Sequence, residues 1–292
     1  MTDTLTLQSI TIADKAAVEE LYNAYGRCDS AHAFASLFLW KQDMDLSLYR
    51  TEDVYTVKIG WKGENCWFYP CGKPEARVEC IEALIRAGCR KLCYLQQEDV
   101  EELNSHFPGV FTIQESPEDS EYLYNREDIL QMAGGRFVKM RNLYRRLQKD
   151  HEITTEPITE DKLPAVRAVC RQWQENRGKK VSLLWEEATN ALLDNWEALK
   201  AKGVILRLDG EDWAVSAGYP LGEGIYDCCL HNARENLPGV TENLRAAFVR
   251  ACPETVGCYN YEEDLGTEGL RLTKERLRPC AMIQMYTGER SI

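Results

Sequence analysis

The chain has 292 residues, 44% apolar and 28% charged, with a net charge of −12. It is long enough for two globular domains, and its acidity argues against a general nucleic-acid binder, which needs a basic surface. No apolar run approaches the roughly 20 residues that span a bilayer, and Met1-Thr2-Asp3-Thr4 does not begin a basic-then-apolar leader.

Hydrophobic periodicity, read in chain order, gives two similar series. The first opens with an alternating strand at Leu5–Ser9, then a helix from about Asp14 with Val18, Leu21, Tyr22 and Tyr25 on one face, then a short apolar helix over Ala31–Trp40. Strands follow near Met44–Tyr49, Val54–Ile59 and Cys66–Tyr69, the last two joined by a turn at Gly60–Asn65. A helix (Glu75–Ala87), a strand (Lys91–Leu95), a short helix (Asp99–His106) and strands near Val110–Ile113 and Glu121–Tyr124 complete it.

The second series begins with a strand at Glu152–Pro157 and two helices, Glu160–Asn176 and Ser182–Lys200. Strands at Val204–Leu208, Trp213–Tyr219 and Ile225–His231 lead to a helix at Val240–Ala251. A strand at Val256–Asn260, a helix from Thr267 and a last strand at Ala281–Tyr286 end the chain. The order β-α-α-β-β-β-α-β-α-β thus occurs twice. Ile10-Thr11-x-x-Asp14-Lys15 also echoes Ile158-Thr159-x-Asp161-Lys162. The expected organisation is a duplicated α/β unit: residues 1–125, a connecting helical segment 126–150, and residues 151–292.

Twelve cysteines include no C-x-x-C pair, and the four histidines, at 32, 106, 151 and 231, are scattered. A structural zinc site is therefore not expected. The thiols read as small core residues, and reduced cysteines point to the cytoplasm. A local basic patch stands out against the acidic background: Arg136, Lys139, Arg141, Arg145, Arg146 and Lys149 lie within fourteen residues that hold no acid. Arg141 and Arg145 share a helical face at i, i+4. The patch reads as a solvated linker helix or as a phosphate-binding surface.

The strongest chemical signal is Tyr259-Asn260-Tyr261-Glu262-Glu263-Asp264-Leu265-Gly266, with the helix that follows it. Three adjacent carboxylates at a strand end repel one another and need compensation. The N-terminal end of the next helix supplies some, and Arg271 and Lys274 on that helix supply charge. Lys274 falls on one face with Leu270 and Leu277. It is either a snorkelling side chain or a buried ammonium paired with Glu262, Glu263 or Asp264 at a site.

The motif Asn260-x-Glu262-x-Asp264-x-Gly266-x-x-Gly269-Leu270-Arg271-x-x-Lys274, with Pro279 after it, resembles the phosphatidylglycerol lysyltransferase C-terminal-domain family. So do Glu121-Tyr122-Leu123-Tyr124, Gly134-Gly135, Lys139-Met140-Arg141-Asn142 and the Phe34–Trp40 helix. The resemblance implies a tandem GNAT-like acyltransferase fold, shared with the Fem-type peptidoglycan aminoacyltransferases. It also implies transfer of an amino acid from aminoacyl-tRNA to an amine or hydroxyl of a small acceptor. Without a membrane segment, phosphatidylglycerol is not the expected acceptor.

On that reading Glu262, Glu263, Asp264 and Lys274 are the catalytic candidates, with a carboxylate as general base or as partner of the donor's α-amino group. Asn260, Tyr261, Arg271, Arg141 and Arg145 are the substrate-binding candidates. Acetyl-CoA enzymes of this fold cradle pyrophosphate on R/Q-x-x-G-x-G/A at a helix start. The matching place, Arg234-Glu235-Asn236-Leu237-Pro238-Gly239, keeps only Arg234 and Gly239, and Pro238 removes a donor. Coenzyme A thioester therefore stands behind aminoacyl-tRNA as donor. A module that binds an amino-acid-like or cationic ligand without turnover is the remaining alternative. The sequence names neither acceptor nor oligomeric state.

Overall fold

The computed structural model describes residues 5–60, 65–177, 179–222 and 224–290, so the centre of the expected Gly60–Asn65 turn lies outside the described residues. The chain forms two compact units. The first comprises Met1–Glu121, Glu263–Glu268 and Met282–Ile292; the second comprises Tyr122–Glu262 and Gly269–Ala281.

In the first unit Gln8–Ser9, Leu46–Arg50, Val54–Ile59 and Cys66–Phe68 are antiparallel neighbours. Cys66–Phe68 then pairs in parallel with Lys91–Leu95. The connection between these two strands is the helix Pro74–Arg86, which starts with Pro at its first turn and buries Cys80, Ile81 and Leu84. Proline suits that position because its missing N–H has no intrahelical partner there. The last strand of the chain, Tyr286–Glu289, lies between Lys91–Leu95 and Thr112–Glu115, antiparallel to both.

In the second unit Ile153–Pro157, Lys202–Leu208, Glu211–Gly218 and Leu230–Ala233 form one antiparallel sheet. A further sheet joins Pro220–Gly222 to Ile225–Asp227, pairs Ile225–Asp227 in parallel with Cys258–Asn260, and adds Leu123–Asn125 antiparallel to the latter. The helix Val240–Ala251 is buried on almost every side, with Leu244, Phe248 and Val249 in a core shared with Leu206, Tyr124 and Tyr259.

Two expectations are corrected. The boundaries fall differently from 1–125, 126–150 and 151–292, because the closing strands are exchanged. The strand expected to end the first series, from Tyr122 onward, pairs in the second unit, and the chain's last strand pairs in the first. Periodicity predicts a strand but not its partner. Residues 126–150, expected as a connecting segment, are core structure: Ile129, Met132, Phe137, Met140 and Leu147 all pack into the second unit.

The strand expected at Ile225–His231 is broken. Cys228 N–H still reaches Asn260 O at 2.8 Å, but Leu230–Ala233 pairs with Ala214–Ala217 instead, while Tyr261 N–H goes to Tyr122 O at 3.0 Å. The parallel strands thus part after Cys228 and Asn260. Gly218 allows the kinked chain to approach: a Cβ there would lie 1.7 Å from Asp227 O.

Candidate functional site

The strand Cys258–Asn260 runs directly into the acidic turn. Asn260 Oδ1 accepts the Glu262 N–H at 2.8 Å, and the backbone turns left-handed at Glu262 (φ +57°) and again at Leu265 (φ +53°). Such φ values are strained for non-glycine residues and mark a turn held by its surroundings. Glu262 belongs to the second unit, Glu263 and Asp264 to the first. Asp264 is fully buried; its Oδ1 accepts Gly266 N–H at 2.9 Å and its carbonyl accepts Thr267 N–H at 2.9 Å.

Lys274, on the helix Glu268–Arg276, is buried. Its ammonium donates to the carbonyl oxygens of Tyr261 and, at 2.9 Å, Glu262. It also lies 5.5 Å from the centre of the Tyr122 ring. The charge is therefore tied to the backbone of the turn that carries the acids. Arg271 is partly exposed on the same helix.

Glu262 does not stand alone. Its charge and that of Asp227 both bear on the Tyr219 phenol and the Cys229 thiol, which burial first, and then these two carboxylates, push well up. Asp227, fully buried, ends the parallel pairing. Asp227, at the end of one strand, and the half-buried Glu262, in the turn after the other, thus act on the same two side chains. Asp227 was absent from the sequence-derived candidates; its signal was the Asp-Cys-Cys interruption in an otherwise regular strand.

Beside it sits a second group that the sequence reading missed. Arg245, 1% exposed, lies with its guanidinium carbon 4.4 Å from the Tyr124 ring centre and 4.8 Å from that of Tyr261. Tyr261 meets Tyr124 edge-on at 5.2 Å and His231 at 6.0 Å. His231 Nδ1 lies 3.2 Å from Ser216 Oγ, and burial, then the Arg245 charge, pull its pKa down to about 3. It is neutral at physiological pH. A polar run Glu242-Asn243-x-Arg245 within the apolar helix Val240–Ala251 was the available sequence signal.

The remaining candidates occupy other places. Arg234 pairs with Glu211 at 3.2 Å. Gly239 has φ +97°, and a Cβ there would lie 2.4 Å from Leu143 O, so this glycine serves close packing on the helix Val138–Asp150. A cavity of about 360 Å³ nevertheless opens at this loop, bounded by Trp173, His231, Arg234, Leu237, Val240 and Thr241. Arg141 folds back onto the carbonyls of Met132 and Gly134, and Arg145 is exposed. The basic patch forms a groove of about 540 Å³ through Arg136, Lys139, Arg146 and Arg278 rather than through Arg141 and Arg145.

A model of the family described as phosphatidylglycerol lysyltransferase, C-terminal, matches residues 22–287. No curated protein matches the chain. Among solved structures, a conserved protein of unknown function from Bacteroides thetaiotaomicron is 22% identical, with a TM-score of 0.90, covering 99% of this chain and 100% of that one. L-PGS from Bacillus licheniformis is 16% identical with a TM-score of 0.66, covering 95% and 92%. FemX is 10% identical with a TM-score of 0.60, covering 98% and 97%. The fold is the tandem GNAT-like one, with mixed sheets flanked by helices.

Proposed function

The chain belongs to the phosphatidylglycerol lysyltransferase C-terminal family, and we propose that it works as a GNAT-like aminoacyl transferase with aminoacyl-tRNA as donor. The observation that carries this reading is the pair Asp227 and Glu262, gathered where the parallel strands part beside Tyr219 and Cys229. Aminoacyl transfer needs two anionic functions in one place: one to hold the donor's α-ammonium, the other to take the proton from the acceptor as it attacks the ester carbonyl. The acceptor amine or hydroxyl forms the new acyl bond, its proton passes to a carboxylate, and the ribose hydroxyl leaves with a proton. Burial of Asp227 strengthens its electrostatic role by lowering the local dielectric, while the half-buried Glu262 keeps access to an entering acceptor. The groove through Arg136, Lys139, Arg146 and Arg278 offers a phosphate-binding track for the nucleic acid, despite the net negative charge.

A second reading, acetyl-CoA-dependent N-acetylation, is favoured by the cavity at Arg234–Thr241. Against it stand the engagement of Arg234 by Glu211 and the exposed Glu235 at the same loop. Thermal unfolding with acetyl-CoA, aminoacyl-tRNA and uncharged tRNA separates the two. Stabilisation by aminoacyl-tRNA above uncharged tRNA supports aminoacyl transfer, and stabilisation by acetyl-CoA alone replaces it with acetylation.

A further inference from the structure

Burying a guanidinium without an acceptor is costly, and native structures pair such groups almost always. Arg245 departs from this. Among the described residues its Nε and Nη2 are buried with no carboxylate or carbonyl acceptor, the Tyr261 phenol being the one polar side chain that engages the group, and His231 Nε2 is likewise buried without a hydrogen-bond partner. The identity of the two orphaned nitrogens is informative. Nε–H and Nη2–H lie along one edge of the guanidinium and point the same way, the edge that takes a two-oxygen anion in bidentate fashion. The guanidinium carbon lies over the Tyr124 and Tyr261 rings, which meet edge-on beside it, and neither ring supplies an acceptor oxyanion to that edge. His231 links this group to the outside: its ring bounds the 360 Å³ cavity and it feels the Arg245 charge. Neutral, it adds no second positive charge, and Nε2 is available to donate or to accept.

We propose that Arg245 is the anchor of an oxyanion-binding subsite: a carboxylate or phosphate group of a small ligand enters by the His231 cavity and docks on the Nε–Nη2 edge. The proposal deepens the aminoacyl-transfer reading, on which it rests only for the role of that ligand as acceptor; the binding itself involves no turnover. An acceptor held here would be an amine or hydroxyl compound bearing an acidic oxygen group.

Equilibrium binding tests it, by calorimetry and thermal unfolding of the whole chain. The probes are N-acetylglycine and acetate as carboxylates, methyl phosphate as the phosphate arm, and sodium chloride at equal ionic strength as control. Arg245→Lys keeps the charge and removes the fork, and Arg245→Met removes both. The wild type should be stabilised by one oxyanion arm over chloride, and Arg245→Lys should bind at least about tenfold more weakly, the worth of a lost bidentate charge-assisted contact. Arg245→Met, freed of an unmatched buried charge, should unfold without ligand at or above the wild-type midpoint. The arm that stabilises identifies carboxylate or phosphate. Absence of any response over chloride in the wild type, or equal affinity in Arg245→Lys, overturns the proposal. Because no donor is present, a failed transfer assay would leave this result standing, and a failed binding test would leave transfer untouched.

Discussion

Lys274 Nζ lies 2.9 Å from the carbonyl oxygen of Glu262 and donates also to the carbonyl of Tyr261. A buried ammonium thus fixes the left-handed turn on which the acidic motif is mounted. Tyr124 Oη returns the contact, donating to Lys274 O at 2.8 Å.

Lys274→Met should therefore destabilise the protein by about 3 kcal/mol, since it leaves two strand-end carbonyls without their charged donor. Urea unfolding measures it. A change within about 0.5 kcal/mol, the range of an ordinary surface substitution, would show that the side chain merely covers the core with its stem.

Gly239→Ala should cost on the order of 2 kcal/mol or more. The backbone there is at φ +97°, a region L side chains rarely adopt, and the new methyl would meet Leu143 O at 2.4 Å and Leu147 Cβ at 2.9 Å. The loss should appear in unfolding midpoints. If acetyl-CoA stabilises the protein, an equal loss of that effect in the variant would instead assign this glycine to a phosphate cradle.

In the first unit His32 Nδ1 lies 2.7 Å from Asp29 Oδ1 and Nε2 lies 2.9 Å from Tyr69 O. Both neighbours are acceptors, so the contacts favour the doubly protonated ring. Burial opposes its charge, but Asp29, Asp99 and the Tyr69 carbonyl together outweigh burial and raise the pKa above 6.5; in the same way burial would raise Asp29, and His32 with the local backbone N–H groups outweighs it and lowers Asp29 below 3.8. The His32 contribution is complete below pH 6.5 and is lost as pH rises through the raised value. That of Asp29 is present above pH 3.8 and is lost as pH falls through the lowered value. Stability of the wild type minus that of His32→Gln should therefore decline from pH 6.5 upward. Parallel curves across that window would refute the ion pair.

Much of the fold was legible because its elements carry strong local signals. The strands Val54–Ile59 and Lys91–Leu95 and the helix Val240–Ala251 fall where their apolar periods put them. The exchange of closing strands was not legible: Glu121–Asn125 and Tyr286–Glu289 are ordinary short strands, and their partners are chosen by long-range pairing that leaves no local trace. The acidic turn could be read from spacing, which left Lys274 open between a snorkelling stem and a buried ammonium; the structure buries it. Asp227 and Arg245 could not, since each looks like a polar interruption in an apolar element until Gly218, Tyr124 and Tyr261 close around it. Arg141, a binding candidate, donates to the carbonyls of Met132 and Gly134, an engagement that its spacing did not disclose. Charge counting finds a patch but not which of its members turn inward.

Asp227→Asn and Glu262→Gln probe the central claim with little change in shape. Each should leave the fold intact by circular dichroism and lower aminoacyl transfer by about 100-fold or more, the usual worth of a positioned acid or base.

The most direct measurement follows a labelled amino acid from aminoacyl-tRNA into a small-molecule product, using a panel of amines and hydroxyl compounds with and without a carboxylate or phosphate. Enzyme-dependent appearance of a labelled amide or ester that Asp227→Asn and Glu262→Gln abolish is the predicted result. Label that stays on tRNA or is released only as free amino acid, at equal rates with wild type and both variants, would contradict the account.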